Sequence, residues 1–267
     1  MSIIQSGNLT LQQLKKLQSL NFKHAPTETI CFNDGQLRFR SPITSDSTLY
    51  KSILPSELTA QDDSFDGGFQ VVYQNCWHFK PWIGYWKFPG YMILSISSWQ
   101  HPQTNGQLSS HILLQKAQSK FEQIASLAED GLTTAFNFKK SGLFCRLTIP
   151  SSEDDYQAFQ HNNLIWLYGK QTNDTYTEQS FYYAAINPQQ IIRIRFERIL
   201  MIGKKRPEFH QCNLEHVWEQ AEKSFMKHCH FQSENFSLAK QQALWKNYQG
   251  TIHKKGATQK SASHHLD

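Results

Sequence analysis

The sequence is poor in charged residues, glycine, proline and cysteine, and each shortage argues against a class of protein. Only 18% of the 267 residues are charged, and the formal net charge is +5. So small an excess indicates nucleic-acid binding only where it is concentrated. The 13 glycines and 9 prolines are too few for a collagen-like or low-complexity chain. The five cysteines contain no CxxC pair, so no disulfide framework is expected.

Long apolar runs and nucleotide-binding loops are missing as well. The most apolar windows, 91–96 and 199–202, are much shorter than the roughly 20 residues that a membrane-spanning helix needs. The first residues resemble no secretory signal, because they lack both a basic segment and a continuous apolar segment. The chain contains neither GxGxxG nor GxxxxGK[ST]. We therefore expect a cytoplasmic protein with no membrane span and no cofactor.

Aromatic residues are abundant. The 18 Phe, 10 Tyr and 7 Trp supply enough apolar area to offset the entropy of the chain. Strand-like patterns come in groups, without helices between them, and each of two groups is followed by a helical pattern. The sequence predicts an α+β fold of mainly antiparallel sheet, in two successive strands-then-helix units, with the helices packed on one face.

The predicted elements divide the chain near residue 132. We expect an N-terminal α+β unit at 1–132 and a C-terminal α+β unit at 133–250, with one continuous domain as the alternative, and a flexible tail at 251–267. The predicted strands are a hairpin around Asn33-Asp34-Gly35 and the segments 69–79, 82–86, 91–99, 143–149, 163–168, 179–186 and 191–202. The predicted helices cover 10–20, 110–130, a segment after Asn213, and 238–248.

One pattern of histidines and cysteines has a spacing that would permit a zinc-binding site. His210 and Cys212 precede the run His228-Cys229-His230, and two such pairs can converge when the chain turns back. If a single helix extends to residue 230, however, His228 and His230 point about 200° apart. We therefore favour ordinary helix-end and loop residues and predict no metal site.

A second pattern bears on nucleophilic catalysis. Cys76 and His78 share one face if residues 69–79 form a strand, and a thiol beside an imidazole is a potential nucleophile. A buried packing role for Cys76 is the alternative, and no GxSxG elbow is present. An enzyme, a hydrolase whose site uses one of the histidines His78, His101, His210 or His228, is therefore the second functional hypothesis.

Two local concentrations of residues favour a different function. Eight large aromatic residues lie between positions 77 and 99. Residues 191–206 carry six basic side chains against Glu197 alone, which equals the +5 of the whole chain. The sequence predicts a non-enzymatic binding module for a protein with an acidic patch, such as a neutralising or immunity-type inhibitor in a bacterial cell, with nucleic acid as a weaker candidate. A solvated outer strand face is the alternative for the basic residues, and packed core or an aromatic ligand groove is the alternative for the aromatic ones. The predicted partner-binding residues are Trp77, Trp82, Tyr85, Trp86, Arg193, Arg195, Lys204, Lys205 and Arg206.

Overall fold

Strands account for most of the regular structure. The computed structural model describes residues 20–42, 68–79, 90–101, 108–129, 147–148, 150, 153–173, 177–200, 214–248 and 250–254. In chain order, the strands are β1 Thr27–Phe32, β2 Gly35–Arg40, β3 Gln70–Phe79, β4 Gly90–Gln100, β5 Leu147–Thr148, β6 Gln157–His161, β7 Leu164–Asn173, β8 Thr177–Asn187, β9 Gln190–Leu200, β10 His230–Gln232 and β11 Ile252–Lys254. The helices are α1 Ser110–Glu129, α2 Leu214–Lys227 and α3 Leu238–Leu244, and a 3₁₀ turn covers Glu153–Asp155. The predicted α+β class is confirmed.

These strands form two sheets. β1, β2 and β10 make a small sheet in that order. The other eight make a large sheet in the order β11-β6-β7-β8-β9-β4-β3, with β5 paired to β7. All of the described pairings are antiparallel except that of β11 with β6. The expected predominance of antiparallel sheet is confirmed.

The large sheet joins the two halves of the sequence. β4 pairs with β9 over its whole length, from Gly90 opposite Leu200 to Gln100 opposite Gln190. This pairing joins strands from either side of the proposed division at residue 132. The beginning of the proposed tail is also part of the sheet, because Ile252–Lys254 pairs with β6. The rest of that tail lies outside the described residues.

The sequence predicted one of two tight hairpins and missed the other. The hairpin around Asn33 and Asp34 is confirmed, with Phe32 opposite Gly35. The hairpin between β6 and β7 was not predicted. Its turn residues Asn162 and Asn163 both have positive φ, at 47° and 65°. Asparagine tolerates this conformation, which suits the right-handed twist of a hairpin. The Asn162 side chain also donates to the carbonyl of Cys229 at 2.8 Å.

Helices lie on both faces of the large sheet, so the expected packing on one face is not confirmed. α2 and the small sheet pack on one face, which we call the α2 face. α1 and α3 pack on the other, which we call the α1 face. None of the helices that the structure describes is long and apolar enough to span a membrane. Both faces of the sheet are therefore partly interior, and a charged side chain on either face needs its own explanation.

The core of the α2 face is built from aromatic rings. Phe225 of α2 lies 5.4 Å from both Phe39 and Phe196, measured between ring centroids, and 6.3 Å from Trp77. The Trp77 side chain is fully buried, and its indole N–H donates to the carbonyl of Pro42 at 3.0 Å. Gly90 permits a close approach beside this cluster, because a Cβ there would lie 2.9 Å from the Trp218 ring. Part of the aromatic excess is therefore core.

Candidate functional site

Part of the α1 face carries side chains that are only half-buried. Side chains on β3, β4, β8 and β9 alternate there between the buried α2 face and a half-buried α1 face. We call the half-buried set the open patch. Its members are Gln74, Cys76, His78, Tyr91, Ile93, Gln179, Arg195 and Glu197. The strand register places Gln74, Ser95 and Arg195 in one row, and Cys76, Ile93, Glu197 and Gln179 in the next.

Arg195 is the cation of the open patch. Its guanidinium donates to the Ser95 hydroxyl at 3.4 Å, which is a long hydrogen bond. No acceptor among the described residues pairs with its Nε. The carboxylate of Glu197, two residues along the same strand, instead accepts from the Gln179 amide at 3.2 Å. No ion pair joins Arg195 to any carboxylate that the structure describes. The guanidinium therefore retains donors that suit an external carboxylate.

Cys76 and His78 belong to the same patch but lie on β3, which β4 separates from the β9 strand of Arg195. The Cys76 Sγ is 3.6 Å from the His78 Nε2, within hydrogen-bonding distance for sulfur. The His78 ring stacks on Tyr91, with centroids 5.7 Å apart and planes at 27°. Burial raises the pKa of Tyr91, and the nearby Cys76 and Glu197 add to that rise. The geometry confirms that Cys76 and His78 share one face and places them in contact.

Arg193, two residues before Arg195, has a different environment. It is fully buried, with its guanidinium carbon 4.3 Å from the centroid of the Phe69 ring. One of its terminal nitrogens donates to the Ser97 hydroxyl at 3.0 Å. Stacking on an aromatic face is a favourable arrangement for a guanidinium. Arg193 is therefore an interior residue and does not belong to the surface that a partner would meet.

The α2 face also carries a cluster of charged side chains, and each of them has a partner of opposite charge. Arg198 donates to Glu178 at 3.2 Å and to Glu222 of α2 at 2.5 Å. Lys170 reaches Glu178 at 3.1 Å. The Tyr182 hydroxyl donates to the second oxygen of Glu222 at 2.5 Å. We call these five residues the ion-pair cluster. It contains two basic and two acidic side chains, so its formal charges balance.

The pKa values of Tyr182, Tyr168 and Arg198 are shifted in and around the ion-pair cluster. Burial raises the pKa of Tyr182 well above its usual value, and the carboxylate of Glu222 contributes. Burial also raises the pKa of Tyr168, the cross-strand neighbour of Tyr182, to about 12. Burial alone would lower the pKa of Arg198, but Glu222 and Glu178 outweigh it and the pKa rises. The charged side chains of the cluster therefore stabilise one another by ion pairing.

The predicted partner-binding residues separate into three groups. Trp77 and Arg193 are fully buried, so neither offers surface to a partner in this fold. Arg195 is half-buried and lies in the open patch. Trp82, Tyr85, Trp86, Lys204, Lys205 and Arg206 lie outside the described residues. Arg195 is thus the one member of the predicted set that the described structure leaves available.

The histidines and cysteines of the zinc pattern do not form a site among the described residues. α2 ends at Lys227, His228 Nδ1 bonds the carbonyl of Ser224 at 2.8 Å, and His230 begins β10. Cys229 is buried, which raises the pKa of its thiol. No group of three potential metal ligands occurs within the described part of the chain. His210 and Cys212 lie outside it.

Two further features have no reactive arrangement. A cavity of about 830 Å³ lies between the β1–β2 turn and the segment that leads into α3. In its wall, Asp34 accepts from Asn187 at 2.7 Å, and Ser233 accepts backbone N–H groups of Asn235 and Phe236. His101 is buried beside Trp99, with ring centroids 5.4 Å apart. Neither place brings a histidine together with an acidic or cysteine partner among the residues described.

Sequence reasoning missed several contributors to these sites. Ser95 and Gln179 were not singled out, although cross-strand register with β9 places Ser95 opposite Arg195 and Gln179 opposite Glu197. The ion-pair cluster was also missed. Its signal was present in the alternation of β9, because Arg198 has the opposite parity to Arg195 and therefore faces the other side.

Similarity to known proteins does not assign the open patch a role. No protein-family model matches the sequence. No curated protein matches it either. The function is therefore inferred from the chemistry of the described residues.

Proposed function

We propose that this protein is a non-enzymatic binding module that docks an acidic surface of another protein on the open patch. The observation that carries the proposal is the environment of Arg195. Its guanidinium is half-buried, holds one long bond to Ser95, and has no ion pair among the described residues. A guanidinium in such a place gains charge-assisted hydrogen bonds when a carboxylate arrives.

The composition around Arg195 supports a protein partner. Ile93 and Tyr91, one and two rows from Arg195, offer half-buried apolar area in the same patch. Tyrosine and arginine are residue types enriched where binding energy concentrates. Lys204, Lys205 and Arg206 follow β9 in the sequence and add positive charge that would speed the approach of an acidic surface. A neutralising or immunity-type inhibitor in the cytoplasm of a bacterial cell would use such a surface.

Nucleic acid is the weaker candidate for the same cation. Single-stranded nucleic acid is bound through successive aromatic platforms beside basic groups. The aromatic side chains nearest to Arg195 in register are Phe181, opposite Arg195, and Tyr183, opposite Arg193, and both are fully buried. A carboxylate-bearing protein surface fits this patch better.

A fluorescent deca-glutamate peptide tests the charge preference. Fluorescence anisotropy should show binding that weakens with salt, and Arg195→Gln should reduce the affinity about tenfold, as expected for losing hydrogen bonds to a charged group. Arg38→Gln is the matched control, because Arg38 is exposed on the small sheet and its substitution changes the net charge equally. Equal loss in both variants, or tighter binding of an oligonucleotide of the same charge, would overturn the proposal.

A photo-crosslinking residue in place of Gln74 tests for the protein partner itself. Gln74 lies in the same row of the open patch as Arg195. Irradiation of the cells in which the protein naturally occurs should yield one stoichiometric adduct with an acidic protein. Arg195→Gln should abolish the adduct and Arg38→Gln should leave it. An adduct indifferent to Arg195, or none at all, contradicts the proposed function.

A further inference from the structure

Cys76 differs from the other described cysteines in its surroundings. Cys31 is exposed on the small sheet, Cys76 is half-buried, and Cys229 is fully enclosed. Of the three, Cys76 has an imidazole within hydrogen-bonding distance, at 3.6 Å from Sγ to Nε2. A thiol reacts as its thiolate, and a neighbouring imidazole is the group that most often takes up its proton.

The contact between these two side chains is held by the fold. Cys76 and His78 occupy alternate positions of β3, which pairs with β4 at both residues, opposite Ile93 and Tyr91. Stacking on Tyr91 restrains the imidazole from the side. The pair therefore does not depend on a mobile loop for its geometry.

The charged groups around the pair act in opposite directions. Glu197 follows Ile93 in the same row as Cys76, and a carboxylate there disfavours a thiolate. Arg195, in the adjacent row, favours the thiolate. Tyr91 retains its proton over the physiological range, because its pKa is raised. An ion pair of thiolate and imidazolium is compatible with both charges.

We propose that Cys76 is a nucleophilic thiol that exchanges with low-molecular-weight disulfides, so that the open patch contains a reversible modification site. His78 accepts the thiol proton. The thiolate attacks one sulfur of the disulfide, a bond forms between that sulfur and Sγ, and the original S–S bond breaks. The departing thiolate takes the proton back from the imidazolium. The disulfide is the oxidant, and one of its halves leaves as a free thiol.

The position of Cys76 gives the exchange a consequence. A group such as glutathione on Sγ would add two carboxylates and considerable bulk to the open patch, one row from that of Arg195 and across β4 from it. A carboxylate of the attached group would pair with the Arg195 guanidinium, and the group would occupy the surface that an acidic partner needs. This second part of the inference rests on the proposed function, whereas the reactivity of Cys76 does not.

Oxidised glutathione tests the chemistry directly. The folded protein is incubated with it at pH 7, and peptide mapping by mass spectrometry follows each cysteine separately. An unperturbed thiol is only a few per cent thiolate at that pH, so proton uptake by His78 should make Cys76 react about tenfold faster than Cys31, despite its lower exposure. His78→Gln should abolish that advantage and leave Cys31 unchanged. Equal rates for the two cysteines, or an advantage that survives His78→Gln, overturns the inference.

The same experiment contains its own control for folding. Cys229 is 1% exposed, so it should remain unmodified while the protein is folded. If His78→Gln unfolded the chain, Cys229 would react, and the comparison would then be made with His78→Asn. The rate of Cys76 modification measured against pH gives a second test. The acid limb of that profile should move in the His78→Gln variant, whereas it would stay in place if His78 had only a structural role.

The final arm separates this inference from the proposed function. After glutathione treatment, the adduct from position 74 should disappear, and a reductant should restore it. If Cys76 reacts as expected but the reduced protein gives no adduct, the binding proposal fails and the modification site stands. If the reduced protein gives its adduct while Cys76 shows no reactivity beyond Cys31, the binding proposal stands and the thiol site fails.

Discussion

Arg195 and Arg198 lie three residues apart on β9 and face opposite sides of the same sheet. Arg198 is buried between Glu178 and Glu222, and Tyr182 satisfies the remaining oxygen of Glu222. Arg195 is half-buried and has one long bond to the hydroxyl of Ser95. One cation is enclosed by partners from β8 and α2. The other, in the described structure, has polar neighbours but no counter-charge.

The difference shows that the elements packed on each face of the sheet determine whether a charged side chain finds a counter-charge. On the α2 face, a helix supplies Glu222, so the guanidinium becomes a fixed part of the interior. On the α1 face, the neighbours in register are Ser95 and Phe181, which supply no carboxylate. Burial with complete pairing favours a structural role, and partial burial without it favours recognition.

The largest expected effect is that of Arg198→Met. It leaves Glu222 inside the protein without its cation, and breaking a buried pair from one side costs about 3–5 kcal/mol. Urea denaturation at pH 7 should show that loss in the free energy of unfolding. A cost below about 1 kcal/mol would mean that the ion-pair cluster is not enclosed as described.

An intermediate effect is expected at alkaline pH. Tyr168 has a pKa near 12 in the folded protein and about 10 when unfolded. The unfolded chain therefore loses this proton first, and the stabilisation is complete below pH 10 and is lost as the pH rises to 12. Over that range Tyr168→Phe should lose about 2 kcal/mol less stability than the wild type. Tyr91→Phe is the matched comparison on the open patch, where the side chain is less buried and the difference should be smaller. Equal alkaline losses in Tyr168→Phe and the wild type would contradict the assignment.

The smallest expected effect is that of Arg195→Met on stability. Since Arg195 has no ion pair within the described structure, replacing it by an uncharged side chain of similar length should change the free energy of unfolding by less than about 1 kcal/mol. The same urea measurement applies. A loss as large as that of Arg198→Met would remove the distinction between the two faces and, with it, the structural argument for recognition at Arg195.

Alternation along the strands carried much of what the sequence could predict. It placed Cys76 and His78 on one face of β3, and it placed Arg193 and Arg195 opposite Ile194 on β9. It could not say which face would be covered, because that depends on α1 and α2, which lie far away in the chain. Arg193 illustrates the limit, since Phe69 and Ser97 enclose a side chain whose pattern alone suits a solvated face.

The elements that sequence reasoning missed lacked a local signal. β6 reads Gln-Ala-Phe-Gln-His and has no regular apolar alternation. Its position follows from the tight turn at Asn162 and from pairing with β7 on one side and β11 on the other. Likewise, nothing near Glu222 in the sequence indicates Arg198 as its partner, because the pair forms only when α2 packs on the sheet.

The pairing of β4 with β9 also governs when the protein can fold during its synthesis. Ser97 and Arg193 face each other across roughly 100 residues of chain, and pairing over such a separation carries a large loop-closure cost and slows folding. The hairpins from β6 to β9 are local and can form early. β4, with Met92, Leu94 and Ile96 on its inner face, must wait for β9 to leave the ribosome. Until then this apolar face is exposed to other nascent chains. The yield of folded protein would then depend on chaperones that cover the face until β9 is available.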